Sequence, residues 1–130
     1  MSSGVIDVLS GKGITTLTPV QAEAFKPILA GRDVIGRSRT GTGKTLAFGM
    51  PAMQRLVDIA AKKGIVDSNG RRRRGRNTSM IVLVPTRELS RQVGGELAEI
   101  GKPLGLYVSV FHGGVSYDPQ VRTYELNYVT

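Results

Sequence analysis

Residues 38–45 read Ser38-Arg39-Thr40-Gly41-Thr42-Gly43-Lys44-Thr45, and these types at this spacing suit one kind of chemistry: holding a chain of phosphates. Gly41 and Gly43 permit backbone angles that a Cβ obstructs, so successive N–H groups can converge on phosphate oxygens. Lys44 supplies a point charge for the β- and γ-phosphates, and the Thr45 hydroxyl suits the accompanying magnesium. The common form of such a loop has glycine where Ser38 stands. The competing reading is a Gly/Thr-rich surface loop with an incidental lysine. The flanking sequence argues against it.

A phosphate loop works only if a strand delivers it and a helix leaves it, because the helix N-terminus adds unpaired N–H groups and the positive end of its dipole. Asp33-Val34-Ile35-Gly36 is a short β-prone run before the loop, and Leu46-Ala47-Phe48 begins a helical pattern after it. That helix is expected to run to about Ala61, interrupted at Pro51, with Leu46, Met50, Met53, Leu56, Val57 and Ala60 on its apolar side.

Upstream, Val5, Ile6, Val8 and Leu9 form a short helical segment stopped by Gly11-Lys12-Gly13. Thr18-Pro19-Val20-Gln21 opens a second helix with Thr18 as N-cap, Pro19 at the first helical position and Gln21 reaching back as a capping-box partner. Pro27 should bend that helix or loosen a turn, and Gly31 ends it. Downstream, Met80-Ile81-Val82-Leu83-Val84 is a continuous apolar run expected to be a strand buried on both faces. Pro85-Thr86 leads into a helix from about Arg87 to Gly101. Tyr107–Phe111 is a third expected strand, followed by His112-Gly113-Gly114 and a helix starting at Asp118-Pro119. Strands alternating with helices indicate an α/β fold with a mainly parallel sheet and right-handed crossovers.

The 130 residues suffice for one modest domain, and 40% apolar with 22% charged residues is ordinary for a soluble protein. The net charge is +8; removing the five charges of Arg71, Arg72, Arg73, Arg74 and Arg76 leaves +3. This basic run sits in a Gly/Asn/Ser/Arg-rich stretch, residues 62–79, expected to be a flexible insert that either binds nucleic acid or acts as a solvated spacer. The absence of cysteine excludes a disulfide framework and a thiolate metal site. No apolar window of spanning length or secretory layout is present, so an intracellular location is expected.

Four separated patterns together resemble the N-terminal, RecA-like domain of DEAD-box RNA helicases. Gly13-Ile14-Thr15-Thr16-Leu17-Thr18-Pro19-Val20-Gln21 is similar to the family's Q motif, within residues 1–31; residues 38–45 resemble its motif I; Pro85-Thr86-Arg87-Glu88-Leu89 matches motif Ia; and Gly113-Gly114 matches its glycine pair. The resemblance implies a three-layer RecA-like P-loop NTPase fold, incomplete at its C-terminal side, over residues 1–130. It implies ATP and magnesium at Ser38, Arg39, Thr40, Gly41, Thr42, Gly43, Lys44 and Thr45, with Lys44 and Thr45 serving phosphoryl chemistry and Thr45 the metal. It gives Gln21 the adenine edge, against the alternative of a helix-capping amide. Thr86, Arg87, Gly113 and Gly114 would hold the phosphates of single-stranded RNA, contacts that position a strand without reading its sequence. Arg87 as a surface ion pair is the alternative. Glu88 is read as orienting Arg87 or capping its helix, and His112 as a turn residue.

The sequence departs from the family pattern at Ile14, where phenylalanine is usual, and at Leu17, often proline. The family's stacking aromatic would lie before Met1. Arg39 is similar to variants in organellar or nucleolar members. The Asp-Glu-Ala-Asp and Ser-Ala-Thr motifs do not occur in these residues, and the second RecA-like domain with its arginine fingers is expected to be required for activity. The resemblance therefore implies an ATP-dependent RNA helicase fragment, truncated or alternatively spliced, that binds ATP and RNA while unwinding belongs to the intact protein. The alternative is a truncated, non-catalytic ATP/RNA-binding module. Whether this chain alone is an enzyme is left open, and the isolated product is expected to expose sheet edges and apolar faces.

Overall fold

The computed structural model describes residues 3–64 and 78–128, with side chains as far as residue 123. The basic run 71–76 lies outside the described residues, so the expectation of a flexible insert is not addressed there. Five helices follow in order: α1 (Ser3–Gly11), α2 (Pro19–Leu29), α3 (Lys44–Lys62), α4 (Arg87–Gly101) and α5 (Tyr117–Tyr128), with a 3₁₀ turn at Lys102–Leu104.

The helix signals in the sequence work locally as expected. Thr18 is extended at the α2 N-cap, Pro19 occupies the first turn, and the Thr18 N–H donates to Gln21 Oε1 at 3.0 Å. Thr86 caps α4 by accepting from the Leu89 N–H at 3.2 Å. Two expectations are corrected. Helix α3 continues from Lys44 to Lys62 through Pro51, which is buried. The ring denies the Ala47 carbonyl its usual i+4 donor, but burial against the core holds the helix in register. Pro27 likewise lies within an assigned helix.

The core is formed by Val5 and Leu9 of α1, Leu46, Met50 and Met53 of α3, and Val93, Leu97 and Ile100 of α4. Met50 and Met53 are core filler, as their helical spacing suggests. Gly49 allows α3 to approach α4 closely, because a Cβ there would collide with Leu97. Lys12 and Glu99 pair across α1 and α4. Both side chains are substantially exposed, so the pair adds little stability.

The expected strands are the main difference. Among the described residues none is assigned to a strand; 32–39, 78–84 and 106–112 run outside the helices without sheet pairing. The Met80–Val84 run is not buried on both faces: Ile81 and Leu83 are 77% and 89% exposed, whereas Val82 and Val84 pack on the helical core. The same division separates exposed Tyr107 and Phe111 from Leu106 and Val108 on the core. The side-chain period of 2 is present, but burial is one-sided. An apolar run looks the same in sequence whether one or both of its faces are covered.

Candidate nucleotide and RNA sites

The loop of residues 38–45 opens directly into α3, whose first helical residue is Lys44. Gly41 and Gly43 have φ values of +77° and +76°, the left-handed conformation that glycine tolerates best. At Gly43 there is a second requirement, since a Cβ would collide with the Gln21 amide. The N–H groups of the first α3 turn lack helical acceptors by construction and face the loop end of the helix.

Gln21 is 2% exposed and joins α2 to this loop. Its Oε1 accepts from Thr18 N, and its Nε2 donates to the Gly43 carbonyl at 3.2 Å. One donor and one acceptor fix the amide orientation. Each atom retains one further hydrogen-bonding valence, so the capping and adenine-reading roles are compatible. Beside this contact, Thr18 Oγ1 donates to the Thr42 carbonyl at 3.0 Å. Two adjacent loop carbonyls are thereby tied to the start of α2. Sequence reasoning identified Thr18 as a cap but missed this bond, which spans 24 positions and has no local signature.

Inside the loop, Lys44 Nζ donates to the carbonyls of Ser38 at 2.9 Å and Arg39 at 2.6 Å. Ser38 Oγ and Thr42 Oγ1 are 2.8 Å apart, and Thr42 Oγ1 donates to the Arg39 carbonyl at 2.9 Å. The ammonium is therefore folded over the loop's own backbone. A lysine reaching back over glycine-bent backbone, beside a helix N-terminus and the Thr45 hydroxyl, is a donor set suited to a magnesium-bearing polyphosphate. Arg39 and Thr40 are exposed on the rim. Among the described residues no group of three or more His, Asp or Glu side chains is placed to hold a metal ion.

The second set gathers at the start of α4. Gly114 has φ +79°, and a Cβ there would collide with the Arg87 guanidinium, so Arg87 lies against the glycine turn. Capping by Thr86 uses an acceptor lone pair and leaves its O–H as a donor. Thr86, Arg87, Gly113 and Gly114 are all exposed. Gln120 of α5, which the sequence reading passed over, secures the turn: its Oε1 accepts from His112 N at 2.9 Å, and its Nε2 donates to Ser116 O at 3.4 Å. His112 Nδ1 lies 3.2 Å from Gly113 O, in keeping with a turn residue. Phe111, Tyr117 and Val121 line a cleft beside Gly113. No described helix is long and apolar enough to cross a membrane.

Comparison with known proteins identifies the same arrangement. The family model described as "DEAD/DEAH box helicase" matches residues 18–129. The chain is 42% identical over 128 residues to DEAD-box ATP-dependent RNA helicase 9, mitochondrial, of Arabidopsis thaliana, covering 98% of this chain and 19% of that protein. It is 45% identical over 116 residues to DEAD-box ATP-dependent RNA helicase 3A, chloroplastic, of Zea mays, covering 89% of this chain and 14% of that protein. Among solved structures, a hypothetical ATP-dependent RNA helicase from Sulfolobus tokodaii superposes with a TM-score of 0.76 at 26% identity, over 98% of this chain and 32% of that one. The chain thus spans about a fifth or less of these curated relatives.

Proposed function

We propose, since this chain belongs to the DEAD/DEAH box helicase family, that it carries the ATP site and part of the RNA-binding surface of an ATP-dependent RNA helicase. Hydrolysis and duplex opening would belong to a longer protein with a second RecA-like domain. The observation that carries the reading is the hydrogen-bonded junction of Gln21 and Thr18 with the loop carbonyls of Gly43 and Thr42. It brings an amide able to read a base edge to a loop able to hold phosphates.

In this reading Lys44 leaves the Ser38 and Arg39 carbonyls to meet the β- and γ-phosphates, while the first-turn N–H groups of α3 hold phosphate oxygens. Thr45 would help hold magnesium, which neutralises triphosphate charge when bound. Gln21 presents its remaining valences to adenine. Arg87, the Thr86 hydroxyl and the Gly113-Gly114 amides hold RNA phosphates, giving affinity with little sequence preference. The RNA substrate class accords with an intracellular location, and the relatives' names include both mitochondrial and chloroplastic proteins.

Titration of the chain with a fluorescent ATP analogue and, separately, with single-stranded RNA tests the assignment. Lys44→Ala is expected to reduce ATP affinity more than tenfold and leave RNA binding intact, while Arg87→Ala does the reverse. Unchanged nucleotide affinity in Lys44→Ala would overturn the phosphate-loop assignment.

A further inference from the structure

We infer that Ser38 and Thr42 act through their hydroxyls as a clasp that holds the phosphate loop in its receptive shape when Lys44 departs, making them positioning residues rather than phosphate ligands. The inference rests on the reading of residues 38–45 as an ATP phosphate loop. Proton bookkeeping fixes the direction of the clasp. Thr42 has one hydroxyl proton, and it is given to the Arg39 carbonyl at 2.9 Å. The 2.8 Å contact between the two hydroxyls must then use the Ser38 proton, so the chain of bonds runs Ser38 O–H to Thr42 O–H to Arg39 C=O.

The Arg39 carbonyl is also one of the two acceptors of Lys44, at 2.6 Å. A nucleotide that draws the ammonium away removes a donor from both Ser38 O and Arg39 O. Through Thr42, the Arg39 carbonyl keeps a partner, and the loop is not left to rearrange around it. The backbone carbonyl of the same Thr42 is anchored by Thr18 Oγ1. One residue therefore ties the loop both to itself and to α2. With alanine or glycine at position 38 the donor to Thr42 is lost, and the first link of the chain with it.

The test uses the 130-residue chain with Ser38→Ala, Thr42→Val, Thr42→Ser and Lys44→Ala. Each is titrated with magnesium–ATP and with adenosine, and each is unfolded thermally without nucleotide. The clasp predicts that Ser38→Ala and Thr42→Val lose roughly three- to tenfold in ATP affinity, the range set by one or two hydrogen bonds. Adenosine affinity and the nucleotide-free melting temperature should hold, and Thr42→Ser, which keeps the hydroxyl, should restore ATP binding. Wild-type ATP affinity in Ser38→Ala, with Lys44→Ala still defective, overturns the clasp while sparing the ATP site. So does equal loss of ATP and adenosine, or failure of Thr42→Ser to rescue. Undiminished ATP binding in Lys44→Ala overturns the underlying reading and the clasp with it.

Discussion

Gln21 shows how one buried amide can serve structure and recognition at once. Its two contacts use one acceptor valence and one donor valence, and almost none of its surface meets solvent. Gln21→Glu separates these contacts. The substituted carboxylate still offers an acceptor to the Thr18 N–H, but it has no donor for the Gly43 carbonyl and sets a charge against that oxygen. A buried acceptor left unpaired costs about 1–3 kcal/mol, and burying the carboxylate adds to it. The variant should therefore lose at least that much stability in a denaturant titration and bind ATP more weakly. Stability equal to wild type would mean that the Gly43 contact contributes nothing.

At the scale of elements, α2 and α3 are joined where α2 ends. Gly31 has φ +80°, and Arg55 of α3 lies over it, donating from Nη1 to the Leu29 carbonyl at 3.0 Å. Arg55 thus caps α2 from the neighbouring helix. Gly31→Ala meets two obstacles: left-handed backbone, costing about 1–2 kcal/mol, and the guanidinium itself. Removing the guanidinium with Arg55→Met should leave only the backbone cost, so the double variant is expected to be less destabilised than the sum of the singles by thermal or urea unfolding. Simple additivity would exclude the contact. The α2 start was legible because Thr18, Pro19 and Gln21 signal through adjacent backbone, and α4 because Thr86 and the spacing of Leu89, Val93, Leu97 and Ile100 do the same. The types and order of the phosphate-loop residues announced their chemistry. Arg55 on Leu29, Gln120 on His112 and Thr18 on Thr42 were not legible, since side-chain bonds between separate elements depend on packing that no local pattern encodes. Pro51 was misread for the same reason: propensity predicts a break, and tertiary burial overrides it.

Across the whole molecule, the apolar surface is distributed unevenly. The helices bury one set of side chains, while Ile35, Ile81, Leu83 and Tyr107 remain largely in solvent. This one-sidedness can be measured on the 130-residue chain. Ile81→Thr and Leu83→Thr replace exposed side chains and should change stability by no more than about 0.5 kcal/mol each, while lowering the binding of a hydrophobic dye. Val82→Ala and Val84→Ala remove methyl groups from the face that meets α1, α3 and α4, and should cost about 1 kcal/mol or more. A run buried on both faces would make all four positions costly, with full burial of an Ile or Leu worth about 1.5–3 kcal/mol. Denaturant midpoints for the four variants, compared at a common m-value, distinguish the two arrangements. Large losses at Ile81 and Leu83 would show the outer face to be covered in solution, by self-association if the midpoint also rises with protein concentration.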